Sequence, residues 1–399
     1  MVRLTVNPDS SRLQRIGLTA QKHVSSGEFS NIEWAVAHRG QIVSRGAVGQ
    51  ADALNSVALV ADPVYRIYSM TKPVVSLLAL QMIEEGLLGL GHPVAMYLPA
   101  AGSLKKLHDG SEKAVSTPIT IEHLLTHRAG FSYDFLPHCK IADLYRERGL
   151  AENGSFTLEH MVDEILDCPL CAEPGTEWRY SVSIDVLARV LELVSGQSLQ
   201  QLLAERLFKP AGMNDTGFSV PADQMHRLMP MFGQKKLGDA MTVIAEPQQL
   251  YAMNVDAAYP FDSDTFARGG LGLYSTTNDY MRFLPVLMTG KTIDGEALLS
   301  APMTDMMWSN RIPDTQRPLA VGINPLPGYG WNLFGRMMTD TGQALSLTGV
   351  GEGGWAGAAS TYFWVDRERE LSGVVMTQYL GATVPVGDFM KSAVYQALV

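Results

Sequence analysis

Cysteine is scarce. There are three in 399 residues, Cys139, Cys168 and Cys171, and an odd, low count argues against a disulfide scaffold. Cys168-Pro169-Leu170-Cys171 spells C-x-x-C. A redox pair needs that motif between a strand and the helix it opens, and a zinc site needs further ligands close by; neither context surrounds it. Basic charge is short as well. With 31 Lys and Arg against 41 Asp and Glu the net charge is −10, and the basic face that nucleic acid requires is missing. No apolar run reaches about eighteen residues, so no membrane helix is expected. Met1 to Pro8 lacks the apolar stretch of a signal peptide, which makes a cytoplasmic location the expectation. G-x-S-x-G is absent, and with it the nucleophile elbow of the α/β-hydrolases.

What is abundant is apolar: 46% of residues, against 18% charged, so a sizeable core can be buried. The length suits two domains, or one core with an inserted subdomain. The chain is organised around Tyr68-Ser69-Met70-Thr71-Lys72-Pro73. Ser69 and Lys72 are three residues apart, so a helix beginning there carries both side chains on one face of its first turn. A hydroxyl becomes a nucleophile when a base takes its proton. Lysine is such a base only when neutral, its free pKa of ~10.4 lowered towards ~7–8 by burial or nearby positive charge. Val74 to Leu88 is apolar on nearly every side, the pattern of a helix inside a protein, with Gly86 as its end. Pro73 suits an early helical position. Ser-x-x-Lys then stands at the start of a buried helix, where a dry site and the positive helix end depress a lysine pKa and favour an oxyanion. Taken alone, the tetrapeptide arises by chance on the order of once or twice in a chain of average composition. A helix N-cap serine followed by a surface lysine explains it equally well.

The remaining pattern supplies a frame. Asp9 to Ser25 reads as an amphipathic helix; Trp34–His38 and Gln41–Val48 read as a hairpin around Arg39-Gly40; Leu59 to Tyr68 is β-like. Thr120 caps a short helix with Leu124 and Leu125 on its buried side. His123 and His127 sit at i and i+4, a metal-compatible spacing, but Leu124 takes the glutamate place of H-E-x-x-H, and structural histidines near a cleft are the better reading. Leu158–Leu166, Ile184–Ser195 (stopped by Gly196) and Ser198–Leu207 read as helices. Pro210 to Ala267 is turn-rich, and Arg268 to Thr277 is a glycine-rich approach to a helix over Asp279–Met288. Trp331–Met337, Gln343–Thr348, Trp355–Val365 and Leu371–Gln378 read as strands, and Val386–Leu398 as a closing helix. Gly349 to Gly354 matches G-x-G-x-x-G, but a strand follows where a dinucleotide fold needs a helix. The order predicts an α/β (α+β) domain built from both termini, residues 1–67 and 268–399, with a mainly helical domain at 68–267.

Five stretches, in this order along most of the chain, resemble the serine β-lactamase and penicillin-binding protein superfamily, and within it the family VIII carboxylesterases. They are Tyr68 to Pro73, Leu124 to Gly130, Pro174-Gly175 through Tyr180-Ser181-Val182, Gly269 to Thr276, and Gly354-Trp355-Ala356-Gly357. The resemblance implies Ser69 as acyl-accepting nucleophile, Lys72 as its base, Tyr180 as proton relay, and an oxyanion hole from the backbone N–H groups of Ser69 and Ala358. It also implies a β-lactamase-like fold: an antiparallel sheet flanked by terminal helices, plus an all-helical domain, with the site between them. Two departures stand out. Val182 replaces the asparagine of the class C β-lactamase Tyr-x-Asn motif, and Trp355-Ala356-Gly357 replaces Lys-Thr-Gly. Polar anchors are lost at these positions, which bears on specificity. The tryptophan form is that of the esterase branch.

The expectation is therefore a serine carboxylesterase for small short-chain esters, with Val182, Trp355 and Gly357 lining the substrate. A small-molecule ester is its partner, and no metal, organic cofactor, nucleic acid or membrane is called for. The alternatives are a β-lactamase or D-amino-acid peptidase, an acyltransferase of the same fold, and a non-catalytic ligand-binding relative. The last would be expected to have lost Ser69, Lys72 or Tyr180, and all three are present.

Overall fold

The structure, a computed structural model, describes residues 7–150, 153–233, 247–263 and 265–399. An antiparallel sheet joins the two ends of the chain. Among the described residues its eight strands lie in the order Tyr329–Trp331, Arg336–Met338, Gly353–Ala356, Tyr362–Asp366, Leu371–Met376, Asn31–His38, Gln41–Asp52 and Val57–Ala58. Every neighbouring pair is antiparallel. The seam between the termini runs with Glu33 opposite Met376 and His38 opposite Leu371.

Asn31–His38 is buried at every position, so both faces of the sheet are covered. Helices Ser10–Ser25 and Val386–Tyr395 cover one face, packing Leu13, Ile16, Met390 and Val394 against Trp34, Trp364 and Val375. The first of them starts where the Asp9 carboxylate accepts the N–H groups of Ser11 and Arg12. The other face carries the larger core, in which Ala35, Phe363 and Val374 meet helices Thr71–Glu84 and Thr277–Thr289.

Thr71–Glu84 is the helix read from its apolar run, begun three residues earlier. It ends with Gly86 at φ +77° just past the Glu85 cap. Val74, Val75, Leu77, Leu78, Leu80 and Met82 are all fully buried. Each contributes ~1.5–3 kcal/mol relative to exposure, so this helix is fixed by its surroundings on all sides. Helix Ser183–Ser195 packs against it and in turn carries helices Ile121–Leu125 and Leu158–Leu166; it stops at left-handed Gly196. Leu199–Leu203 runs on through a π-turn to Ala211.

Several strands differ from expectation. Trp331–Met337 is two strands, because Asn332 Oδ1 accepts the N–H groups of Phe334 and Gly335, both at 2.9 Å, and folds the chain back. Trp355–Val365 is likewise a hairpin. Its turn is closed by the Gly357 N–H donating to the Thr361 carbonyl at 2.8 Å. Gln343–Thr348 forms no strand; Leu345 and Leu347 lie on the surface with no ladder partner. Leu59–Tyr68 contributes only Tyr65–Arg66, paired with Tyr274–Ser275. Of the turn-rich stretch, residues 234–246 and 264 lie outside the described residues. Among the described residues no helix is long and apolar enough to cross a membrane.

Candidate active site

Ser69 sits in a 3₁₀ turn, Tyr68–Met70, that leads straight into helix Thr71–Glu84. Tyr68 adopts φ +43°, a left-handed conformation that costs a non-glycine residue on the order of 1–2 kcal/mol. Long-range bonds hold the turn there. The Ile67 N–H donates to the Leu273 carbonyl at 3.0 Å, the Leu273 N–H to Thr71 Oγ1 at 3.2 Å, and the Tyr280 hydroxyl to the Met70 carbonyl at 3.0 Å. The glycine-rich approach to helix Thr277–Thr289 is thus the clamp that holds the Ser69 turn.

Lys72, the second residue of the helix, is 1% exposed. Its Nζ lies 3.1 Å from Ser69 Oγ, 2.8 Å from the Tyr133 hydroxyl and 2.6 Å from the Gly270 carbonyl. It also sits over the rings of Tyr180 and Tyr133, at 4.7 Å and 5.0 Å from their centroids. Burial lowers its pKa to about 7, against the opposing pull of the Asp185 carboxylate. The surface-lysine reading is excluded by this burial. A lysine of this kind exchanges its proton near neutral pH, beside a serine hydroxyl.

Tyr180 enters from a second segment. His127 and Arg128 run beside Gly175 to Ser181: the Arg179 N–H donates to the His127 carbonyl at 2.9 Å and the Gly175 N–H to the Arg128 carbonyl at 2.7 Å. This places the Tyr180 side chain beside the Ser69–Lys72 pair, its ring under Lys72 Nζ, and burial pushes its pKa up, so it stays a neutral phenol. The Trp355 indole N–H donates to the Tyr180 hydroxyl at 3.0 Å. A neutral phenol that accepts from Trp355 keeps its own proton free to give, which is the property of a relay.

Trp355, expected to line the substrate, turns its indole N–H to the Tyr180 hydroxyl. Val182 is 2% exposed and starts helix Ser183–Ser195, its N–H donating to the Ser132 carbonyl at 3.1 Å. Gly357 makes a close approach: a Cβ there would lie 2.4 Å from the Ile67 carbonyl and 2.2 Å from Thr361 Oγ1. Only glycine lets this turn press against the segment that ends in Ser69. The bonds of the turn run from Gly357 to Thr361 and from the Ser360 N–H to the Gly357 carbonyl, and the Ala358 N–H takes no part in them.

His123 and His127 have separate structural settings. His123 Nδ1 accepts the Thr120 N–H in a capping box, and burial lowers its pKa to about 4. His127 is fully buried, with its ring 4.8 Å from that of Tyr180 and Nδ1 paired with Ser181. Burial, then Lys72, keeps it neutral. Among the described residues, no three His, Cys, Asp or Glu side chains converge on a metal position. The C-x-x-C cysteines do not pair either; Cys171 Sγ meets Cys139 Sγ at 3.4 Å.

Three residues escape sequence reasoning: Tyr133, Gly270 and Asp185. The first two contact Lys72 directly, from 61 and 198 residues away. Asp185 is fully buried and its Oδ1 accepts the Gly270 N–H at 2.8 Å. An acid five residues after Tyr180, in the first turn of an apolar helix, is the available signal for Asp185; Gly270 lies in the glycine-rich stretch Gly269 to Thr276 with no role read for it, and Tyr133 has no signal.

The Beta-lactamase family model matches residues 19–390. Esterase EstB of Burkholderia gladioli is 29% identical over 90% of this chain and 89% of its own length. Lovastatin esterase of Penicillium rubens is 27% identical over 93% and 94%. Among solved structures, EstCE1, described as a hydrolase with promiscuous acyltransferase activity, superposes with a TM-score of 0.82 at 27% identity, over 97% of this chain and 99% of that one. A family VIII carboxylesterase superposes with a TM-score of 0.72 at 20% identity, over 98% and 99%, a likeness of fold.

Proposed function

Because the chain belongs to the Beta-lactamase family, we propose that it is a serine carboxylesterase that hydrolyses small, uncharged esters through an acyl-enzyme on Ser69. The observation that carries this reading is the 3.1 Å contact between Ser69 Oγ and a fully enclosed Lys72 that titrates near neutrality. Ser69 attacks the ester carbonyl as its proton passes to Lys72 with Tyr180 as relay. The N–H groups of Ser69 and Ala358 hold the oxyanion, and removing one such donor costs ~3–4 kcal/mol. Tyr180 or Lys72 protonates the leaving alcohol. Water, activated by the same pair, then releases the acid. In this reading the site lies between the helical part, 68–267, and the part built from both termini.

Substrate preference follows from what replaces the β-lactamase anchors. Trp355 presents an indole where a cation would meet a substrate carboxylate, and its N–H is engaged by Tyr180. The missing charge-assisted bond is worth ~1.5–3 kcal/mol, about ten- to a hundredfold. Val182 removes an amide contact of ~1 kcal/mol. The expected order of kcat/KM is p-nitrophenyl butyrate first, p-nitrophenyl palmitate well below it, and nitrocefin at least a hundredfold below the butyrate. Nitrocefin equal to or better than the butyrate would make the protein a β-lactamase. Ester produced when an alcohol is added to the same assay would place acyl transfer beside hydrolysis.

The pH dependence is set by Lys72. The amine must be neutral to accept the Ser69 proton, and the neutral fraction rises as pH rises through about 7. The kcat/KM profile is therefore expected to climb through an acid limb near pH 7 and level above it. A limb in the ordinary carboxylate range instead would point to an acid side chain as the base.

A further inference from the structure

Lys72 is not enclosed by apolar groups alone. The titratable or charged side chains about it are His127 and Tyr133 from the segment after helix Ile121–Leu125, Tyr180 and Asp185 at the start of helix Ser183–Ser195, and Arg268, which acts on Asp185 from beyond Gly270. Asp185 is the one acid in this set. Its Oδ1 accepts the Gly270 N–H at 2.8 Å, and the carbonyl of the same Gly270 accepts from Lys72 Nζ at 2.6 Å. One residue thus joins the carboxylate to the amine.

The second carboxylate oxygen, Oδ2, is buried and has no hydrogen-bond partner among the described residues. A methyl group on Gly270 would lie 2.4 Å from that oxygen and 2.6 Å from the Tyr133 hydroxyl, the same hydroxyl that touches Lys72. Asp185 and Tyr133 therefore close on one face of a glycine that tolerates no side chain. A fully buried carboxylate oxygen left unpaired is costly. A role limited to stapling Gly270 would be met by a neutral amide at lower cost, so the charge itself calls for a use.

We propose that Asp185 is a positioning residue for Lys72: it fixes the Gly270 peptide whose carbonyl holds the amine, and its buried charge sustains the amine's affinity for the serine proton. This rests on the reading of Lys72 as the base for Ser69. Burial favours the neutral amine, and a neighbouring carboxylate favours the protonated one; the balance between them sets where the amine titrates. Asp185 and Lys72 then titrate as a coupled pair.

The test is the pH profile of p-nitrophenyl butyrate hydrolysis for the unsubstituted protein, Asp185→Asn and Asp185→Glu, each also treated with a serine-directed fluorophosphonate. Asp185→Asn keeps an acceptor for the Gly270 N–H and removes the charge. Its acid limb is expected about one pH unit or more lower, with the plateau kcat down about tenfold because a weaker base accepts the proton less readily, and KM within about twofold. Asp185→Glu keeps the charge and displaces the carboxylate from Gly270. Its limb is expected at the native pH with kcat reduced, and it carries the test if the Asn variant does not fold. An Asn variant whose limb stays at the native pH, or a Glu variant whose limb falls, overturns the proposal. If Ser69 is labelled and hydrolysis persists in all three while the limb never moves, the role of Asp185 alone fails; if the unsubstituted protein is not labelled at Ser69, the reading of the site fails first.

Discussion

Ser69→Ala is expected to abolish ester hydrolysis, a loss on the order of 10⁴-fold or more in kcat, while leaving the fold intact. The size follows from chemistry. Without Oγ there is no acyl acceptor, and Lys72 and Tyr180 have no proton to move. Stability should change by no more than about 0.5 kcal/mol, because Ser69 is only half-buried and its hydroxyl serves no structural bond beyond the site. The rival serines are poorly placed. Ser132 is fully buried with its hydroxyl 3.3 Å from the Tyr133 carbonyl and from Cys139 Sγ. Ser181 is fully buried and bonds Ser183 Oγ at 2.7 Å. A fluorophosphonate should accordingly modify the peptide that carries Ser69 and nothing else in the site. Labelling at Ser132 or Ser181, with Ser69→Ala still turning over p-nitrophenyl butyrate, would overturn the assignment.

The uneven legibility of this site in the sequence has a physical basis. Ser69 and Lys72 were legible because they share one helical turn, and a helix converts a spacing of three into proximity. The buried character of that helix was legible from its unbroken apolar run. Tyr180 has no such local signature; it was reached through resemblance, and its position depends on the backbone bonds between His127-Arg128 and Gly175 to Ser181. Tyr133, Asp185 and Gly270 come together only when three distant segments pack on Lys72. Trp355 was legible as the residue replacing a cation, but not as the partner of Tyr180, since that bond spans 175 residues. The strands failed at their turns for a related reason. Trp331–Met337 and Trp355–Val365 are apolar enough to read as single strands, and what breaks them is an Asn332 side chain bonding its own backbone and a Gly357 pressed against Ile67. Neither interaction has a period that a sequence pattern can carry.

Lys72 and Tyr180 are expected to act as one unit, and a double-mutant cycle separates that from two independent contributions. Lys72→Ala removes the base. Tyr180→Phe removes the hydroxyl that accepts from Trp355, while keeping the ring over which Lys72 lies. Each loss should lower kcat by ~10²–10⁴-fold, the range for a positioned acid or base. If the serine proton travels through both groups, breaking the path once leaves little for the second change to remove, and the double variant should fall within about tenfold of the worse single one. Two groups that worked separately would instead multiply, giving a loss near the product of the singles. Lys72→Ala also leaves a cavity beside Asp185 and Tyr133, so thermal denaturation of all three variants should accompany the kinetics. The reading to trust is the ratio among folded proteins. Multiplicative losses in folded variants would mean that Tyr180 stabilises the transition state by a route of its own, and the shared proton path from Ser69 would have to be given up.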